Sequence, residues 1–260
     1  MDIKPQIAVL KDSTTTGTTA ELIDIARRLN LPLINTPDPN FSHVLTFCEA
    51  RLELHTLTTA KRSPLSVDFL SGPAYYRFIH DRRISQPLAK AVGIKRGYRP
   101  KVLDGTAGFG EDGFVLASLG CTVTMIERSP IIWALLADAV TRSMNNQAIG
   151  AIFNRNVTLK LADTIDYLSS SSNIHDTVFL DPMYPSLPKS SLNKQRMRTL
   201  RELVGDDHDG SELLNVALKG ARKRVAVKRP IRAVTLDDRK PTFTIPAKSS
   251  RYDIYLIPYL

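Results

Sequence analysis

At 260 residues, 43% hydrophobic and 23% charged, the chain can bury a substantial core as one large domain or as a domain with an extension, the composition of a soluble globular protein. No apolar run reaches the roughly eighteen residues that cross a bilayer, and residues 1–5 carry no basic-then-apolar leader, so a cytoplasmic protein is expected. Two distant cysteines, Cys48 and Cys121, with five scattered histidines offer neither a zinc spacing nor a disulfide framework, and no metal is expected. The excess of 35 Lys and Arg over 26 Asp and Glu, a net +9, favours a polyanionic partner as readily as it serves solubility.

Residues 1–60 form a small α/β pattern. A short strand at 6–10 is followed by a polar turn at 13–17 and a helix at 18–29, with Leu22, Ile25, Ala26 and Leu29 on one face. Strands are expected at 31–34, 44–47 and 51–55. The threonine-rich turn lacks the Gly-Lys-Ser/Thr ending of a phosphate loop and reads as a solvated helix cap. In residues 75–83 aromatics alternate with cations, which would suit bases and phosphates of RNA. Helical spacing explains the same residues as a buried stripe of Tyr75, Phe78 and Ile79 with a solvated basic face, and that explanation is preferred. A helix from Leu88 then ends on Gly93.

From Lys101 the pattern alternates strand and helix. Val102-Leu103-Asp104 closes a strand and opens the turn Gly105-Thr106-Ala107-Gly108-Phe109-Gly110-Glu111-Asp112-Gly113, which fits G-x-G-x-x-G before a helix through Phe114, Val115, Leu116 and Leu119. A second strand ends at Glu127. Ser129-Pro130 starts a helix through Ile131, Leu135, Leu136 and Val140. A strand at 156–163 leads into a short helix at 163–168, a connector follows at 169–172, and a fourth acid-terminated strand closes on Asp181. After a polar, cationic stretch at 189–201 come a helix at 213–219, a strand at 224–229 and a last strand at 252–257. The expectation is a Rossmann-like class I α/β fold: a doubly wound, mostly parallel sheet with an antiparallel last strand over 61–260, preceded by the unit at 1–60.

Asp104, Glu127, Asp163 and Asp181 end successive strands, and in a doubly wound sheet such ends line one crevice. Glu127 follows Asp104 by about twenty residues, the position of a ribose-hydroxyl acid. Gly105, Gly108 and Gly110 permit close backbone approach to the amino-acid part of a cofactor that Asp104 would help hold. Arg128 can cover an adenosine, and Asp163 and Thr164 can meet its adenine. Glu111 and Asp112 put negative charge where a dinucleotide would put a pyrophosphate, which favours the cationic cofactor S-adenosylmethionine over a nicotinamide dinucleotide.

Asp181-Pro182-Met183-Tyr184 resembles the [Asp/Asn]-Pro-Pro-[Tyr/Phe] tetrapeptide of amino-methyltransferases. An exocyclic nitrogen is a poor nucleophile because its lone pair is delocalised. The Asp181 carboxylate and the Pro182 carbonyl would accept its two N–H bonds, while Tyr184 stacks on the base. The run 103–112, Ile126-Glu127-Arg128-Ser129-Pro130, the run 178–185, Ser63-Pro64-Leu65-Ser66-Val67-Asp68-Phe69 and Val227-Lys228-Arg229-Pro230 together resemble the bacterial small-subunit (16S) ribosomal RNA guanine-N2 methyltransferases. That resemblance implies methyl transfer to the N2 of a specific guanosine, with Glu111, Asp112, Glu127, Arg128, Asp163, Thr164 and Asp181 as cofactor-site positions. The alternatives are an amino-methyltransferase acting on DNA adenine N6 or a protein amide, a nicotinamide-dependent oxidoreductase, and a non-catalytic RNA-binding module. RNA contacts are expected from Lys189, Lys194, Arg196, Arg198 and Arg201 after the tetrapeptide, and from Arg222, Lys223, Arg224, Lys228, Arg229 and Arg232.

Overall fold

The structure, a computed structural model, describes residues 6–11, 19–57, 63–170, 175–182, 199, 203 and 209–258. The chain divides into two compact units: Met1–Asp68 with Ser129–Arg142 and Pro185–Asp206, and Phe69–Arg128 with Ser143–Tyr184 and Asp207–Leu260.

In the first unit, β1 (Ile7–Leu10) lies between β2 (Leu33–Ile34) and β3 (His43–Cys48), parallel to both, and β4 (Arg51–Thr56) pairs antiparallel with β3. Helix α1 (Thr19–Leu29) buries Leu22 and Ala26. Glu49 and Ala50 join β3 to β4 with left-handed φ of 49° and 60°, the backbone of a tight hairpin turn. Although it follows β6 in the chain, the helix Pro130–Ser143 (α5) groups with this unit. Its Asp138 accepts the Leu52 N–H at 3.2 Å, and its Arg142 sits 3.7 Å from Asp68.

The second unit is built on a seven-stranded sheet. Its elements in order are α2 (Gly72–His80), α3 (Pro87–Val92), β5 (Lys101–Asp104), α4 (Glu111–Ser118), β6 (Thr122–Glu127), α6 (Gln147–Asn156), β7 (Val157–Leu161), α7 (Thr164–Ser170), β8 (His175–Leu180), α8 (Gly210–Gly220), β9 (Ala221–Pro230), β10 (Phe243–Pro246) and β11 (Ser250–Leu256). The strand order is β10-β11-β9-β8-β5-β6-β7. Neighbours from β9 to β7 are parallel, β11 runs antiparallel to β9, and β10 antiparallel to β11. The chain builds outward from β5 through β6 to β7, then returns to place β8 on the other side of β5. The switch point therefore falls between β5 and β8, at the carboxyl ends that carry Asp104 and Asp181.

Period-two alternation gives the sheet two buried faces. Leu103, Val178, Leu180, Val225 and Val227 pack with Leu168 of α7 and with Leu213, Leu214 and Ala217 of α8. Helices α4 and α6 pack on β6, where the rings of Phe69, Phe114 and Phe153 meet at 4.9–5.4 Å.

The expected fold class and nearly all expected elements are present. Helix α6 and strand β10 were not anticipated. The side chain of Asn146 caps α6 by accepting from the N–H groups of Ala148 and Ile149, both at 3.1 Å, a start signal the sequence does carry. The buried stripe of α2 is corrected: Ala74 and Phe78 face inward, Tyr75 is half-buried, and Ile79 is exposed. Helix α2 packs on α4 with Ala74 and Phe78, an i, i+4 pair, turned inward, which leaves Ile79 exposed.

Candidate active site at the carboxyl ends of the parallel strands

The turn after β5 is shaped by close approach. A Cβ on Gly105 would sit 2.8 Å from Thr164 Cγ2 and 2.9 Å from Leu180 Cδ2, and the Thr164 hydroxyl donates to the Gly105 carbonyl at 2.6 Å. Gly108 and Gly110 take left-handed φ of 53° and 71°, and Gly110 caps α4. The Gly108 N–H donates to Glu127 Oε2 at 2.8 Å, so the acid at the end of β6 grips the turn. A Cβ on Gly113 would meet Met125 Cε at 2.5 Å and Asp104 Oδ2 at 2.9 Å; this glycine lets the Asp104 carboxylate lie directly on α4. Thr106 completes the turn: its hydroxyl accepts the Asp181 N–H at 2.6 Å and ties the end of β8 to the β5 turn.

Charge in the crevice is organised around one ammonium. Lys228 Nζ, at the crevice end of β9, lies 2.8 Å from both Asp112 Oδ2 and Asp181 Oδ2. Asp112 Oδ1 also accepts from Arg77 of α2 at 3.2 Å. Burial opposes the charge on both Lys228 and Asp112, but the pair outweighs it. Asp181 and Asp112 hold the ammonium well above the ordinary lysine range, while Lys228 and Arg77 hold Asp112 below the ordinary carboxylate range. Asp104 is only 1% exposed and, among the described residues, pairs with no cation directly; burial, then the neighbouring Asp112 charge, pushes its pKa up to about 8. Buried Tyr252 of β11 borders the same group, its hydroxyl raised to about 12 by burial and then by Asp112.

The structure brings Asp104, Gly105, Gly108, Gly110, Asp112, Glu127, Thr164 and Asp181 together at the switch point through these contacts. Glu111 is half-buried in the first turn of α4, and Pro182 is buried beside Asp181. Asp163 caps α7, its Oδ1 accepting from Ile165 N at 2.7 Å, and Arg128 pairs with Asp209 at 2.6 Å. Tyr184, Lys189, Lys194, Arg196, Arg198 and Arg201 lie outside the described residues.

Two of the cations expected on RNA are corrected. Lys228 is a member of the crevice ion-pair group, and Arg229 is 2% exposed, its guanidinium donating to the Val234 carbonyl. Alternation along β9 forces this, because a strand packed on both faces has no solvated side for the second of two consecutive cations. Lys223 is held by Asp176 at 3.2 Å and by the Tyr98 hydroxyl at 2.7 Å, and Arg224 is half-buried; Arg222 and Arg232 are exposed. Residue-level reasoning missed Lys228, Arg77, Thr106 and Tyr252 as crevice residues. For Lys228 the signal was present: a lysine ends the apolar run Val225-Ala226-Val227 on the strand beside β8.

In the first unit the β3–β4 hairpin gathers Cys48, Glu53 and His55, with ligand-type atoms within 4.8 Å of one another. Sequence spacing did not suggest this. Arg51 already neutralises Glu53 at 2.9 Å, and burial followed by the Glu53 charge raises the Cys48 thiol, which opposes the thiolate a metal would need.

A family model of SAM-dependent methyltransferases matches residues 24–257. The chain belongs to this family. Among curated relatives, "Ribosomal RNA small subunit methyltransferase J" of Desulfotalea psychrophila is 43% identical over 240 residues, covering 91% of each chain. The protein of the same name from Thioalkalivibrio sulfidiphilus is 44% identical over 234 residues, covering 89% of this chain and 91% of its own. The crystal structure of a SAM-dependent methyltransferase from Neisseria gonorrhoeae superposes with a TM-score of 0.72 at 30% identity, covering 96% of this chain and 95% of that one.

This SAM-dependent methyltransferase uses S-adenosylmethionine as its cofactor. The crevice fits such a group on two counts. A Cβ on Gly108 would have nothing nearer than the Thr106 carbonyl at 3.9 Å, so the turn presents bare backbone to open space. The acids Asp112, Glu127 and Asp181 suit a ligand carrying ammonium and sulfonium charge, and would repel a pyrophosphate.

Proposed function

We propose that this methyltransferase moves one methyl group from S-adenosylmethionine to the exocyclic N2 of a guanosine in small-subunit (16S) ribosomal RNA. The observation that carries the proposal is the Asp181-Pro182 end of β8, tied by Thr106 to the glycine turn, in a chain 43% identical to a relative named for small-subunit ribosomal RNA. When bound, the cofactor supplies an electrophilic methyl carbon whose bond to sulfur breaks as the bond to nitrogen forms.

In this proposal Asp104 and the backbone of Gly105, Gly108 and Gly110 receive the amino-acid part of the cofactor. Glu111 and Asp112 supply negative charge for its cationic end. Glu127 accepts from the ribose hydroxyls, Arg128 covers the adenosine, and Asp163 and Thr164 meet the adenine. Asp181 and the Pro182 carbonyl accept the two N–H bonds of guanine N2, turning its lone pair toward the methyl carbon. Tyr184 stacks on the base. The proton that N2 gives up passes to the Asp181 carboxylate. The guanosine must be unpaired or drawn out of its stack to present this edge. RNA backbone contacts fall to the exposed Arg222 and Arg232 and to the cations of 189–201.

The test incubates the protein with methyl-labelled S-adenosylmethionine and small ribosomal subunits from cells lacking its gene, then identifies the labelled nucleoside. Label in N2-methylguanosine is expected. Label in another nucleoside, or only in DNA or protein offered in parallel, overturns the acceptor assignment.

A further inference from the structure

We propose that Lys228 is the positioning residue of the methyl-transfer step, clamping the Asp181 carboxylate in the orientation that receives the acceptor amino group. The inference rests on the reading of Asp181 given above, and adds a residue and a chain of contacts to it.

Asp181 is the most exposed member of the crevice group, with 40% of its side chain accessible, and it follows the last residue of β8. Backbone tethering through Thr106 fixes its N–H but not its side-chain torsions. A carboxylate that must meet a particular N–H needs a second constraint, since misplacement by an ångström costs much of the advantage of proximity. Lys228 supplies one by holding Oδ2 at 2.8 Å.

The ammonium is itself immobilised. Its second bond, to Asp112 at 2.8 Å, ties it to the first turn of α4, and Asp112 is tied to Arg77 of α2 at 3.2 Å. Arg77 donates to Gln86 Oε1 at 2.9 Å, and Gln86 donates to the carbonyls of Asp81 and Arg83 at 3.2 and 3.1 Å. The contacts run unbroken from the segment before α3 to the end of β8. They place a half-buried cation between a carboxylate assigned to the cofactor and one assigned to the acceptor.

Among the described residues, charged and titratable groups facing Asp181 include Lys228 of β9, Asp112 of α4, Asp104 of β5, Tyr252 of β11 and, one contact further, Arg77 of α2. Of the acids, Asp112 is the one held ionised, and its charge opposes charge on Asp181; Lys228, in direct contact with both, offsets that repulsion.

The experiment measures methyl transfer to small subunits across pH 5–9 for the wild type, Lys228→Gln, Lys228→Arg and Arg77→Gln, with S-adenosylmethionine binding and thermal melting followed in parallel. Lys228→Gln is expected to lower kcat by about 10–100-fold. KM for RNA should stay within about threefold, and the acid limb of the profile should move up by about one pH unit. Lys228→Arg is expected to keep the acid limb at its wild-type position. Arg77→Gln, at a partly exposed site, should move the limb in the same direction by less, and it decides the matter if Lys228→Gln does not melt cooperatively. An acid limb unmoved in a folded Lys228→Gln, or in Arg77→Gln where that variant decides, overturns the proposal while leaving the methyltransferase assignment intact. A wild-type enzyme that puts no label in N2-methylguanosine overturns the assignment on which the proposal rests.

Discussion

Asp104 makes the stability of this protein fall with rising pH in a window where most proteins change little. In the unfolded chain its carboxyl titrates at its ordinary value near 3.8, whereas burial and then Asp112 raise it to about 8 in the folded state. Between these values the folded protein holds a proton that the unfolded chain has released. Stability contributed by this group is therefore present at low pH and is lost as pH rises toward the folded value. Integrated from pH 6 to pH 8 with a folded pKa of about 8, the loss is about 2 kcal/mol. Asp104→Asn keeps the shape and the oxygen that faces the Thr106 N–H, and removes the titration. His175 works in the opposite direction: burial and then Lys101 lower its pKa, so its contribution is lost as pH falls. It is common to both proteins and cancels in their difference. Urea unfolding at pH 6 and pH 8 should show the wild type losing about 2 kcal/mol more than Asp104→Asn over that interval. Midpoints that shift in parallel would refute the buried, protonated assignment of Asp104.

Gly113→Ala should destabilise by about 1–3 kcal/mol, because its methyl would stand 2.5 Å from Met125 Cε and 2.9 Å from Asp104 Oδ2. The Met125 end can shift but the buried carboxylate cannot, and a melting temperature equal to wild type would contradict that packing. Asp181→Asn should lower kcat by at least about 100-fold while leaving cofactor affinity within a few-fold, measured by methyl incorporation and equilibrium dialysis; retained turnover would remove Asp181 from the chemistry. Replacing exposed Arg222 and Arg232 together with Ala should lower the slope of log affinity for ribosomal RNA against log salt by up to about two, whereas an unchanged slope would place RNA elsewhere.

What the sequence determined is what is local along the chain. Strands β5, β6 and β8 each end where an apolar run meets an acid, and the glycine turn at 105–113 follows from conformations and approaches that side chains obstruct, so the fold class and the positions of Asp104, Glu127 and Asp181 are legible in the chain. The motifs at those strand ends carried the family as well. The tertiary structure alone decided how charge is shared among them. Lys228 meets Asp112 across 116 residues of sequence and Asp181 across 47; the apolar run before it marks the lysine, but only the fold selects the acids it meets. The same holds for Arg229, whose guanidinium is buried against the Val234 carbonyl, and for Asp104, whose retained proton follows from burial first and then from the Asp112 charge of the next helix. The alternation of strand and helix, and the acids at the strand ends, follow from short-range periodicity. Ionisation state and side-chain orientation follow from burial and from charges brought together by the fold, and those quantities exist only once the sheet is assembled.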